Sequence, residues 1–232
     1  MPLRKWIKSA NYAIEGVLHG VKTQKHLRYH FISAAAVLFF SYVVGVSRSE
    51  LIIIAVAIIL VLSTEMINSA IEAVVDILSP EYAEKARVAK DIAAGAVLIT
   101  AFGAAVIGYF VLSPYIKMIY SEGFSIAKHS KEEVSLIAFI LVLIAVIITK
   151  AYYGKGHPLS GGMPSGHSAL AFSIWVSITY LTENPHISLL CLLLAIWIAQ
   201  SRVSVKAHTR WEVVLGALFG STLTFFLFRF FS

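Results

Sequence analysis

The sequence predicts an all-α polytopic membrane protein, with about seven transmembrane helices and an amphipathic interfacial helix at its N-terminus. Three observations lead there. Of the 232 residues, 58% are hydrophobic and 14% charged, and the mean hydropathy is +0.80. A soluble domain runs at roughly 45–50% apolar and about 25% charged. The apolar residues come in continuous runs long enough for helices across a bilayer core of about 30 Å, not in the alternation of a membrane barrel. The basic residues stand at the ends of those runs. The net charge of +6 therefore suits anionic headgroups better than nucleic acid.

Each element follows from its own pattern. Leu3, Trp6, Ile7, Ala10, Ile14, Val17, Leu18 and Val21 fall at helical spacing, with Arg4, Lys5, Lys8, Lys22 and Lys25 on the other face. This is the pattern of a helix lying in the interface. Seven spans follow, at about 30–46, 51–77, 91–112, 133–149, 166–182, 187–203 and 211–230. The stretch 113–133, with a proline, a glycine and six charges, is too polar to cross and marks a boundary. Residues 1–115 form a first module, 116–133 a linker, and 134–232 a second module. The single cysteine, Cys191, lies in an apolar run and excludes an intrachain disulfide or a thiolate metal site. No secretory signal pattern is visible.

The second span ends STEMINSAIEAVVD. At about 100° per residue, Glu65, Glu72 and Asp76 share one stripe of the helix, and Asn68 lies beside it. Acids at bilayer depth are costly and mark polar sites. Oxygen ligands of this kind suit Mg²⁺, which keeps some waters and touches substrate phosphates. Lys90 and Asp91 open the third span. A lysine there can hold a phosphate as a point charge, and the small residues from Ala93 to Ala96 allow close helix packing.

The segments ANYAIEG, EMINSAIEAVVD and AKDIAAGAVLI resemble the small prokaryotic diacylglycerol/undecaprenol kinase family over roughly residues 1–115. The resemblance implies a surface helix with three spans, a homotrimer, ATP and Mg²⁺, and phosphorylation of a lipid alcohol. It makes Glu65 the general base and Glu72 a metal ligand. Asn68 and Asp76 shape the site, and Lys90 and Asp91 meet the nucleotide. TQKHLRYH is closer in style to the undecaprenol-kinase branch. Gln24 stands where that family has a second metal-binding Glu, so metal affinity is expected to be lower.

The second module holds three patches at span ends. Lys150 precedes His157-Pro158, then Pro164-Ser165-Gly166-His167 follows, and later Ser201-Arg202 precedes His208 and Glu212. This set suits phosphoryl transfer through a histidine. A nucleophilic imidazole must be neutral and needs a partner on its other nitrogen. Glu212, four residues after His208, can be that partner. His167 can protonate the leaving oxygen. Lys150, Arg202, Ser165 and the Gly166 N–H can stabilise the transferring phosphoryl group. The set needs no cofactor. It resembles the type 2 phosphatidic acid phosphatase superfamily over residues ~134–230. Two positions depart from it: His157, in the phosphate-binding set, replaces Arg, and Glu212 replaces Asp. The module also has four spans where that superfamily usually has six.

Together the modules predict a bifunctional enzyme of a bacterial cytoplasmic (inner) membrane, a lipid-alcohol kinase joined to a lipid phosphatase, with polyprenyl monophosphate as the shared product. The alternative is a phosphatase whose kinase half is a trimerisation scaffold. A transporter is disfavoured by the lack of matched broken helices. With the N-terminus inside, 14 of the 19 Lys and Arg residues fall on the cytoplasmic side. Both active sites are thus expected on the cytoplasmic face, although the resembled phosphatases usually work on the outer one.

Overall fold

The computed structural model describes residues 2–153 and 162–232. Among the described residues every regular element is an α-helix: α1 (Pro2–Thr23), α2 (Lys25–Val43), α3 (Arg48–Leu78), α4 (Glu84–Glu122), α5 (Lys131–Tyr153), α6 (Gly166–Thr182), α7 (Pro185–Ser204) and α8 (Arg210–Phe231). Five of them, α3, α4, α5, α7 and α8, are long and apolar enough to cross a membrane. The protein is a multi-pass membrane protein. Helix α6, at 17 residues, and α2, which opens on KHLRYH, fall short on length and composition.

The chain divides into two units, 23–126 and 1–22 with 127–232. In the first, α3 packs against α2 and α4. It buries Ile54, Ala57, Val61, Glu65 and Asn68, a helical stripe. The acid Glu65 and the amide Asn68 thus extend the same stripe that α3 packs with. The start of α3 is fixed by a capping box. Ser47 Oγ accepts the Glu50 N–H at 3.4 Å, and Glu50 Oε2 accepts the Ser47 N–H at 3.1 Å. Tyr115 of α4 donates to the same Glu50 oxygen at 2.7 Å.

Helices α2 and α4 differ most from the sequence expectation. Helix α2 begins at Lys25, not near residue 30, because the basic and aromatic residues of KHLRYH are as compatible with helix as the apolar run behind them. Helix α4 runs through Pro114 to Glu122, into the stretch expected to be a polar linker. Proline removes one ladder bond. The run Tyr115, Ile116, Met118, Ile119 and Tyr120 nevertheless continues the helix until Gly123, at φ +88°, ends it. Its 39 residues reach about 58 Å at 1.5 Å per residue, well beyond a bilayer core.

In the second unit, α6 and α8 lie back to back. A Cβ built on Gly216 would stand 2.4 Å from the Ser165 carbonyl oxygen, and one on Gly220 would stand 1.9 Å from that of Ala169. Only glycine permits this approach. Deeper in the seam the hydroxyls of Ser173 and Thr224 bond at 2.7 Å. Helix α5 covers the pair through Val142 and Val146, which cluster with Ala169, Leu170, Phe219 and Leu223. The chain before α5 is tied to the end of α8, where the His129 N–H donates to the Phe231 carbonyl at 2.8 Å.

Candidate functional sites

The acidic stripe lies on α3 and meets the start of α4. Glu65 and Asn68 are buried, at 5% and 8% exposure. Glu72 is half-buried and Asp76 exposed. Asn68 Nδ2 donates to Glu72 Oε1 at 2.9 Å, which leaves Asn68 Oδ1 buried without a hydrogen-bond partner. Lys90 Nζ donates to Asp76 Oδ1 at 2.5 Å. Asp91 is held instead by Arg87 at 2.8 Å, and Arg87 also grips Glu84. Lys90 is therefore joined to the stripe, while Asp91 is paired along its own helix. Gln24 occupies the N-cap position of α2, and its side chain makes no cap hydrogen bond.

The donors of this stripe are all oxygens, and one of them, Asn68 Oδ1, is buried and unpaired. That fits a hard divalent cation. Among the described residues no three His, Cys, Asp or Glu side chains converge on one point. Mg²⁺ needs only one or two carboxylates when substrate phosphates and waters complete its shell.

The second site is built at one end of α5–α8. Lys150 lies in the last turn of α5 and Arg202 in the last turn of α7. Ser165 stands at the N-cap position of α6, fully buried, and its Oγ accepts from Ser168 Oγ at 3.2 Å. Gly166 opens that helix, and His167 follows on an exposed position of its first turn. His157 lies outside the described residues.

His208 sits in the short connection between α7 and α8. Its N–H donates to the Arg202 carbonyl at 3.2 Å, as does that of Ala207 at 3.0 Å. Its side chain is 1% exposed, with Nδ1 2.9 Å from Glu212 Oε2. Nε2 is buried and has no hydrogen-bond partner. A neutral imidazole with Nδ1–H on a carboxylate presents Nε2 as its lone-pair atom. Burial pushes His208 below its usual pKa. The nearby Lys150 and Arg202 push the same way, and the bond to Glu212 pulls against them. The net shift favours the neutral ring, the form a nucleophilic imidazole needs. His167 lies within electrostatic reach of Arg202, Lys150 and His208.

Several contributors carry no signal in a list of reactive side chains. The Gly162 N–H donates to Glu212 Oε1 at 3.2 Å. The Thr209 N–H donates to Glu212 Oε2 at 3.0 Å, and the Ser165 N–H to the Glu212 carbonyl at 2.9 Å. Thr209-x-x-Glu212 before an apolar run is a capping-box pattern, and Gly216-x-x-x-Gly220 is a close-packing pattern. Both were present in the sequence to be found.

Comparison with known proteins divides the chain in the same way. Residues 11–112 match the prokaryotic diacylglycerol kinase family, and residues 148–232 match the PAP2 superfamily. The diacylglycerol kinase of Synechocystis is 35% identical over 122 residues, covering 49% of this chain and 70% of the relative. The undecaprenol kinase of Bacillus subtilis is 34% identical over 112 residues, 48% of this chain and 91% of the relative. The diacylglycerol kinase of Haemophilus influenzae is 29% identical over 93 residues, 40% and 79%. No solved structure matches the chain.

Proposed function

We propose that this chain, which belongs to the prokaryotic diacylglycerol kinase family and carries a PAP2-superfamily module behind its kinase module, uses its two lipid activities to supply one product, a polyprenyl monophosphate. Acting on the same monophosphate, a kinase and a phosphatase would only consume nucleotide. A phosphatase that takes the lipid diphosphate converges with the kinase on the monophosphate instead. The observation that carries the phosphatase half is the His208–Glu212 pair, with its Nε2 left unpaired.

In the kinase module, Glu65 takes the proton of the lipid hydroxyl as that oxygen attacks the γ-phosphorus of ATP, the bond from that phosphorus to the β–γ bridging oxygen breaks, and ADP leaves. Lys90, released from Asp76, and Asp91 meet the nucleotide, and Asn68 and Asp76 shape the site. Glu72 and Gln24 would hold Mg²⁺, which neutralises charge on the nucleotide phosphates when bound. In the phosphatase module, His208 Nε2 attacks the terminal phosphorus and the bond to the lipid-side oxygen breaks. His167 gives that oxygen its proton, and Glu212 stabilises the Nδ1–H of the charged ring. Water then releases phosphate from the phosphohistidine, with His167 as base. Lys150, Arg202, Ser165 and the Gly166 N–H surround the phosphoryl oxygens, and His157, outside the described residues, is assigned the same phosphate-binding role. An apolar groove of about 570 Å³ begins at Met163 and Pro164 and continues along Leu215, Phe219 and Phe226. It gives the lipid chain a path beside the site.

Counting α2 and α6 as spans gives seven crossings. α1 then lies in the interface, and both sites face the cytoplasm of a bacterial inner membrane. The chain assembles as a homotrimer through its kinase module. Purified protein in detergent, assayed separately for ATP-dependent phosphorylation of undecaprenol and for phosphate release from undecaprenyl diphosphate, tests the function. Loss of either activity on the polyprenyl substrate, with retention on a diacylglycerol one, would overturn the substrate. Gln24 supports a second reading, in which the kinase module is a scaffold; absence of any ATP-dependent phosphorylation would establish it. Sidedness is read by an impermeant thiol reagent on intact cells, using Ser160→Cys and Ser125→Cys singly in a Cys191→Ser background. Ser125→Cys should label and Ser160→Cys should not; the reverse pattern refutes the topology.

A further inference from the structure

The carboxylate of Glu212 is gripped from three directions. Oε2 receives His208 Nδ1 at 2.9 Å and the Thr209 N–H at 3.0 Å. Oε1 receives the Gly162 N–H at 3.2 Å. The grip is reciprocal, because the Glu212 N–H donates to Thr209 Oγ1 at 3.3 Å. Glu212 thus serves at once as the N3 residue of the α8 capping box and as the partner of the buried histidine. A capping box needs a side chain long enough to reach back to the N-cap N–H, which is a property of Glu and Gln. That gives a physical reason for glutamate here: one more methylene lets a single carboxylate oxygen serve the helix cap and the imidazole together. The Glu212 carbonyl also holds the Ser165 N–H, so the phosphate-side loop hangs from the same residue.

We infer that Thr209 is a positioning residue for phosphate release, acting through Glu212 to hold the His208 ring with Nε2 turned to the substrate phosphorus. The Thr209 hydroxyl bonds to the Glu212 N–H and acts on the histidine only through that residue. It fixes the backbone of the first turn of α8, and so the direction from which the carboxylate approaches Nδ1. This rests on the assignment of His208 as nucleophile.

The test compares Thr209→Ala, Thr209→Ser and His208→Ala in the full-length protein, with inorganic phosphate release from a lipid diphosphate as the readout. Thr209→Ala is expected to lower kcat about 10-fold, the effect of a lost cap expressed in the transition state, with KM little changed. Its acid limb should move to lower pH, because a loosened Glu212 no longer supports the protonated ring. Thr209→Ser should restore both, since it keeps the acceptor hydroxyl. A cap of structural value alone would lower the thermal midpoint of Thr209→Ala and leave kcat per folded enzyme and the acid limb in place, which overturns the inference. A dead His208→Ala beside a fully active Thr209→Ala sinks the positioning role only. An active His208→Ala sinks the underlying site assignment.

Discussion

Replacing Gly216 by alanine displaces the second site without altering any group that meets substrate. The added Cβ would lie 2.4 Å from the Ser165 carbonyl oxygen and 3.2 Å from its carbon and nitrogen. Real Cβ contacts essentially never fall under 3.0 Å, so the backbones must part by about 0.6–1 Å to reach ordinary contact. The helix cannot tilt freely to relieve this, because one turn on Gly220 lies still closer to the Ala169 backbone. The displacement falls on the Ser165 backbone, whose N–H is bonded to the Glu212 carbonyl. Ser165 and the His208–Glu212 pair would then no longer share one geometry. A misplacement of about 1 Å costs roughly 100-fold in rate, or about 2.7 kcal/mol of transition-state stabilisation. The assay is kcat for phosphate release per mole of folded protein. ATP-dependent lipid phosphorylation serves as the internal control, since its residues lie on α2–α4. Phosphate release within three-fold of the parent, from a folded Gly216→Ala protein, would refute the argument that the α6–α8 seam sets the site.

His208→Ala should abolish phosphate release and leave lipid phosphorylation intact; near-parental hydrolysis would remove His208 as nucleophile. Gln24→Glu should raise ATP-dependent phosphorylation or lower the Mg²⁺ required, because it supplies a charged ligand; an already fast kinase unchanged by the substitution would show that Gln24 does not meet the metal. Burial holds His208 below its usual pKa, and only the neutral ring attacks. The acid limb of kcat for phosphate release should therefore lie below pH ~6.5, the ordinary histidine value. A limb above that value in a pH series would contradict the burial argument.

The helices were legible because their apolar runs are long and unbroken, and helix is one of only two ways to satisfy backbone groups in lipid. Their ends were less so. Nothing in KHLRYH or in the stretch after Pro114 opposes helix strongly enough to end one, and a polar composition does not by itself mark a helix boundary. In the second site, the four-residue spacing of His208 and Glu212 foretold a contact that the fold makes at 2.9 Å. What escaped was the backbone's part. The N–H groups of Gly162, Thr209 and Ser165 are donors that every residue type but proline carries, so no residue identity announces them. In the first site the acids of α3 were readable as a stripe. The pairing of Lys90 with Asp76 depends on how the α3–α4 turn returns the chain, which spacing does not give.

The Ser173–Thr224 hydroxyl pair bears on how the protein is made. Ser165 at the N-cap of α6, and Ser168 and Ser173 within it, are all essentially without solvent exposure. The partner of Ser173 is on α8, synthesised some fifty residues later. Until α8 has left the ribosome, α6 has an unmatched hydroxyl and no Glu212 to receive the Ser165 N–H. The helices of the kinase module are by then already complete. Biogenesis is thus ordered by the chain itself: the nucleotide-using half can form first, and the hydrolytic half stays unassembled until its last helix arrives.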